Sequence, residues 1–160
     1  MGSPTKTTEH VDQVDVRGPR FAAWVTTAVL VITLIVSTLS LGAAAVILGV
    51  QAVVFAIGAW RGPRQHPYGL IFQGLVAPRL GPVTEKEPVA PLKFAQLVGF
   101  VFAVVGVVGF ALGVPLLGLI ATGFALVAAF LNAAFGICLG CQIYPLVARA
   151  RKNSRAASPA

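Results

Sequence analysis

The chain has 160 residues, 57% hydrophobic and only 11% charged. A soluble domain carries roughly twice that charged fraction, so most of this surface is expected to face lipid. The net charge of +7 comes from 12 Lys and Arg against 5 Asp and Glu. These charges flank apolar spans and form no basic-aromatic face, which argues against nucleic acid as a partner and for a lipid bilayer with anionic headgroups.

Residues 1–20 are polar and read as a cytoplasmic N-terminal tail. The apolar stretch after them is far too long for a cleavable signal segment. Met1-Gly2 begins like a myristoylation motif, but Lys6 stands where Ser or Thr is needed.

Phe21 to Trp60 holds no charged residue, and neither does Phe94 to Ala148. Each run is about twice the roughly 20 residues that one spanning helix requires, so each must turn back. Ser40-Leu41-Gly42 and Gly113-Val114-Pro115 supply the turns. The pattern predicts an all-α integral membrane protein, with spans near 21–40, 43–60, 94–112 and 116–144 arranged as two hairpins. Together with the loop at 61–93 these form a membrane domain over 21–148, followed by a basic cytoplasmic tail at 149–160.

All Lys and Arg lie in 1–20, 61–93 and 149–155. Two hairpins put these segments on one side, and the positive-inside rule makes that side cytoplasmic. The expectation is a multi-pass protein of the cell inner (plasma) membrane, with both termini inside. Trp60 and Tyr144 are placed as interfacial anchors. Pro19-Arg20-Phe21-Ala22 and Pro91-Leu92-Lys93-Phe94-Ala95 faintly echo each other, as a duplicated hairpin would.

The 61–93 loop contains Pro63, Pro67, Pro78, Pro82, Pro88 and Pro91, a density that opposes a long helix. Its apolar stretch from Tyr68 to Val76 is too short to span and is expected in the interface or under the bundle. The loop is either a lid over the inner helix ends or a plain connector. Gly106, Gly109 and Gly113, and the series Ala128, Asn132, Gly136 and Gly140, read as close-packing stripes on the third and fourth helices; Gln51 and Asn132 are expected to hydrogen-bond between helices. No Asp, Glu, Lys, Arg or His lies within a span, which argues against proton pumps, voltage sensors and ion-coupled transporters.

Chemistry concentrates in Cys138-Leu139-Gly140-Cys141, which holds both cysteines. Positions three apart share a helix face, Gly140 loosens the turn, and Pro145 opposes the carbonyl of Cys141, so a kink is expected there. Cys138 lies roughly 33 Å along a straight helix from Leu116, at the inner rim of the bilayer and a reducing compartment. A transient disulfide, a persulfide or a thiol relay is open to the pair, and so is service as small packing residues. At a helix C-terminus the dipole disfavours thiolate, which Arg149, Arg151 and Lys152 would partly offset. Zinc is not expected, because His10 and His66 are too scattered to complete a site, and no cofactor motif is present.

Several strings carry a resemblance: Val14-Asp15-Val16-Arg17-Gly18-Pro19-Arg20-Phe21 before the first span, Glu87-Pro88-Val89-Ala90-Pro91-Leu92-Lys93-Phe94-Ala95-Gln96 into the third, and Leu131 to Tyr144 with its Cys-Leu-Gly-Cys-x-x-Tyr ending. Over residues 12–150 the chain resembles the bacterial membrane family catalogued as domain of unknown function 4395, common in actinobacteria. Its members are often encoded near thioredoxin-like proteins and rhodanese-type sulfurtransferases. The resemblance therefore implies cytoplasmic-side thiol or sulfur chemistry at Cys138 and Cys141, with one of those proteins as partner. Glu87, Phe94 and Gln96 are then expected to shape the loop over the site, beside Asn132, Gly140, Pro145 and Arg149. Two rival expectations are a non-enzymatic assembly subunit and passage of a small sulfur compound through a homo-oligomer.

Overall fold

The computed structural model describes residues 12–156; Met1-Gly2, Lys6 and His10 lie outside them. The described chain is mostly helical. Four long helices dominate it: α1 (Arg17–Ser37), α2 (Leu41–Arg61), α4 (Val89–Ala111) and α5 (Pro115–Phe135), with a short α3 (Pro67–Ile71) between the two pairs and a separate α6 (Leu139–Ala156) at the end. The long helices have 21, 21, 23 and 21 residues and are apolar enough to cross a membrane. At 1.5 Å per residue each is about 32 Å long, the thickness of a hydrocarbon core.

Both outer turns form where the sequence places them. Ser40 is extended and its hydroxyl accepts a hydrogen bond from the Ala43 amide at 3.2 Å, opening α2 as an N-cap. Gly113 takes φ +71°, and Pro115 begins α5, where its missing amide hydrogen costs nothing.

The long helices pack as a ring in the order α1, α2, α4, α5. Leu30, Leu48 and Phe110 fill its centre. Glycines let the backbones approach: a Cβ on Gly106 would stand 2.6 Å from Leu48 Cδ2, and Gly109 lies against the backbone of Gly118. Val31, Ile32, Ile35, Val46, Val50, Val53 and Val127 point outward and are exposed, a surface suited to lipid rather than water. Gln51 is buried: its Nε2 donates to Thr26 Oγ1 of α1 at 3.5 Å, and its Oε1 accepts from the Tyr68 hydroxyl at 2.8 Å.

The charged end is more structured than the sequence suggests. Residues 13–15 and 86–88 form strands β1 and β2, an antiparallel ribbon in which Val14 faces Glu87. Asp15 accepts the Arg17 amide at 3.0 Å and pairs with its guanidinium at 2.8 Å, so α1 starts at Arg17 rather than Phe21. The prolines do break the loop into short turns, yet Phe72 is driven under the bundle, 5.8 Å from the Phe21 ring and against Gly18.

The largest difference concerns the fourth span. The sequence pattern predicts one helix over 116–144; α5 instead ends at Phe135. Gly136 adopts φ +68° and its amide donates to Asn132 O at 3.1 Å, an αL stop. A run without charge hides this break, because apolar composition does not distinguish one helix from two. The series Ala128, Asn132, Gly136, Gly140 is therefore not one stripe: Gly136 is the stop and Gly140 belongs to α6.

Candidate functional site

The break after α5 changes the setting of the cysteines. Cys138 immediately precedes α6 and serves as its N-cap: the Cys141 amide donates to Cys138 Sγ at 3.3 Å, and the Gln142 amide to Cys138 O at 3.1 Å. The pair thus stands at a helix N-terminus, not near a C-terminus, and the dipole favours thiolate there. The backbone break lies at residues 136–138 and ends on Cys138 itself; Pro145 sits inside α6 and leaves the Cys141 carbonyl without its usual donor.

Both cysteines are free thiols; Cys138 is buried and Cys141 partly so. The Cys141 thiol hydrogen-bonds the Cys138 sulfur, and this, with the backbone amides of Cys141 and Gly140, holds the Cys138 pKa below the ordinary thiol value against the opposing pull of burial. Cys141 is pushed the other way, because its proton is held by Cys138 and it too is buried. The Cys141 amide on Cys138 Sγ makes Cys138 the sulfur better placed to hold negative charge. The lowering comes from hydrogen bonds and not from the basic tail: Arg149 is exposed on α6, about 12 Å of helix rise beyond Cys141.

Glu87 is the carboxylate that reaches the pair, and its charge raises both thiol pKa values. Burial and the neighbouring Glu85 raise the pKa of Glu87 itself, opposed by Arg20. Arg20 also lies against Gly136, its Nη2 3.4 Å from where a Cβ would be. The half-buried Glu87 carboxyl is thus the acidic group whose charge bears on both thiols.

Packing fixes α6 against α4. A Cβ on Gly140 would stand 2.6 Å from both the Cα and the Cβ of Ala95, and Phe94 meets Tyr144 at 6.0 Å between ring centroids. Gly140 is therefore a contact point, not a loosened turn.

Behind Cys138 lies a cavity of about 280 Å³, mostly apolar, with Thr26, His66, Gln96 and Asn132 among its lining. Asn132 faces this space; among the described residues its side chain makes no interhelical hydrogen bond, unlike Gln51. His66 is 2% exposed, and burial pushes its pKa down to about 4. Gln96 lies beside the imidazole and its side chain opposes that fall, although no contact of strict hydrogen-bond geometry joins the two. Gly58 makes the room: a Cβ there would be 2.6 Å from His66 Cδ2 and 3.0 Å from Gln96 Cδ.

The structure thus gathers Cys138, Cys141, Gly140, Glu87, Phe94, Gln96 and Asn132 at one end of the bundle, with Pro145 farther along α6 and Arg149 outside the group. Sequence reasoning passed over His66, Gly58, Arg20, Thr26 and Ala95. The sequence suggests for His66 only a zinc ligand's role, and among the described residues no group of three His, Cys, Asp or Glu is placed to hold a metal. Its sequence clue is slight: one histidine between prolines in an otherwise basic loop.

Four helices long and apolar enough to span, with a thiol pair capping a fifth long helix, define a mostly helical protein of multi-pass membrane type. The chain belongs to the family described as domain of unknown function DUF4395, which matches residues 14–149. No curated protein and no solved structure matches it.

Proposed function

We propose that this chain is a plasma-membrane dithiol protein whose Cys138 and Cys141 exchange disulfide or sulfane sulfur with a cytosolic partner, a thioredoxin-like protein or a rhodanese-type sulfurtransferase. One observation carries the reading: the Cys138 sulfur caps α6, receiving the Cys141 amide at 3.3 Å. A sulfur so placed is stabilised as thiolate, the form that attacks.

Exchange runs through one mixed disulfide in either direction. The Cys138 thiolate attacks a partner disulfide, forming a new S–S bond and expelling one partner thiolate. Cys141 passes its proton to Glu87 and attacks Cys138 Sγ; the Cys138–Cys141 disulfide forms and the second partner thiolate leaves. Two electrons have moved to the partner, and the reverse sequence returns them.

The cytoplasmic placement rests on charge. Every Lys and Arg in the sequence lies in 1–20, 61–93 or 149–155, and segments of that charge are retained inside. The deciding experiment is thiol-trapping mass spectrometry on native membranes with Cys141→Ser. A partner trapped on Cys138 is expected; two inert thiols would sink the reading. Labelling of 61–93 by an impermeant reagent outside intact cells would reverse the orientation.

A rival reading makes the chain a non-enzymatic assembly subunit. The tight Gly140–Ala95 approach favours it, since such contacts serve packing alone. It predicts that replacing both cysteines with Ala preserves the phenotype while bulk at Gly140 destroys it.

A further inference from the structure

The cavity behind Cys138 has an open side. Phe124 in its wall is 61% exposed, and Leu139 and Ile143 are exposed as well. Phe102 and Phe124 stack with ring centroids 5.9 Å apart. The opening therefore lies among α4, α5 and the start of α6, on the apolar surface that meets lipid in a spanning protein. The space of about 280 Å³ is near the lower end of small-ligand pockets, and a longer molecule can continue outward through the opening.

The lining describes the occupant. Among the described residues no Asp, Glu, Lys or Arg borders the cavity, and most of the wall is apolar, with Val98 from α4 and Ala125, Ala128 and Ala129 from α5. Two of its polar side chains have neighbours in the protein: Gln96 lies beside His66, and Thr26 Oγ1 accepts from Gln51 Nε2 at 3.5 Å. A hydrocarbon chain suits such a wall, because it brings no polar group to be buried unpaired. Two reactive or polar groups are left for the occupant's other end. One is the Cys138 sulfur, which receives the Cys141 amide and is thereby favoured as thiolate. The other is the Asn132 amide, a donor for a carbonyl oxygen. Cys138 follows directly on α5, whose 21 residues already cross the hydrocarbon layer at 1.5 Å each. A membrane-bound acyl thioester presents its carbonyl at that level, with its chain in lipid and its carrier thiol in water.

We propose that Cys138 is S-acylated by a long-chain acyl thioester, with the hydrocarbon chain seated in this cavity, and that the acylated form is the closed state of the dithiol site. The closed state rests on the dithiol reading above; the acylation needs only a nucleophilic sulfur beside apolar room, as at other juxtamembrane cysteines. The step is thioester exchange, in which nothing is oxidised or reduced. The Cys138 thiolate attacks the acyl carbonyl. A new C–S bond forms, the C–S bond to the carrier breaks, and the carrier leaves as a thiolate that takes up the proton Cys138 gave to water. An acylated Cys138 has no thiolate with which to attack a disulfide. A free thiol in excess reverses the exchange and reopens the site.

The test uses the full reduced chain in nanodiscs with hexadecanoyl-coenzyme A as probe, read by mass spectrometry. A simple transmembrane peptide with one juxtamembrane cysteine, in the same nanodiscs, measures spontaneous acylation. Expected is one hexadecanoyl group per chain, on Cys138, removed by neutral hydroxylamine and formed about tenfold faster than on the peptide, the scale of discrimination by an apolar pocket. Cys138→Ser should lose the adduct and Cys141→Ser should keep it. Ala128→Leu, which fills the cavity, should bring the rate down to the peptide's, with the thermal midpoint reporting whether this variant folds; if it does not, the comparison with the peptide decides. No hydroxylamine-labile adduct, an adduct on Cys141 instead, a rate no faster than the peptide's, or a rate indifferent to Ala128→Leu in a folded protein overturns the acylation. Exchange of Cys138 with a soluble disulfide, measured before and after acylation, separates the claims. Exchange before and none after is expected; exchange undiminished after acylation overturns the closed state. Exchange intact with no adduct formed overturns this inference alone. An adduct on a Cys138 that exchanges with no disulfide beforehand overturns the dithiol reading and the closed state, and supports the acylation.

Discussion

Helix α5 has a left-handed glycine at each end, and the two ends have different fates. Gly113, at φ +71°, leads through Val114 to Pro115, and a Cβ built on it meets nothing within 4 Å. Gly136, at φ +68°, turns the chain beneath Arg20 and delivers Cys138 to the start of α6. The same backbone device makes a bare turn at one end and a chemical site at the other. What differs is the company: a carboxylate, a cavity and a second helix start surround only the charged end.

The comparison breaks most sharply at sulfur. Cys138→Ser should abolish disulfide exchange, and Cys141→Ser should leave a trapped mixed disulfide, whereas Gly113→Ala should leave both thiols as reactive as before; mass spectrometry after thiol trapping reads all three. Gly140→Val comes next. With Ala95 atoms 2.6 Å from the added Cβ, overpacking should cost about 1–3 kcal/mol and lift α6, seen as a lower thermal midpoint and faster alkylation of Cys138.

Glu87→Gln should be smaller and divide by step. The carboxylate raises the Cys138 pKa, so its removal lowers that pKa, and the pH profile of Cys138 alkylation should move to lower pH. Resolution by Cys141, which loses its proton acceptor, should slow about tenfold. Gly136→Ala and Gly113→Ala should each cost about 1–2 kcal/mol for the left-handed backbone, but only the former should alter the alkylation rate of Cys138. Arg149→Ala should change that rate least, under about twofold, since an exposed charge so far along α6 is largely screened.

The bundle was legible because charge is so unevenly distributed: two long runs without a charge, each with a turn marked by serine or by glycine and proline, dictate four apolar helices. The site was half legible. Cys138, Cys141 and Glu87 stand out by residue type, but the stop at Gly136 does not, since a glycine in an apolar run reads equally as packing or as a cap. With that stop unseen, the dipole at the thiols takes the wrong sign. His66 and Gly58 meet only through the fold, and a 3.6-residue period is silent about a loop histidine folded under α2.

The β1–β2 ribbon has a consequence for how the carboxylate is aimed. Its register opposes Val14 to Glu87, and three residue pairs are too few to hold themselves together in water. A slip by one residue turns every side chain in a strand to the opposite face. Deleting a single residue between Gly81 and Glu85 would therefore rotate Glu87 away from the sulfur atoms without touching a membrane helix. Any shift of β1 along β2 would move the carboxylate whose charge bears on both thiols.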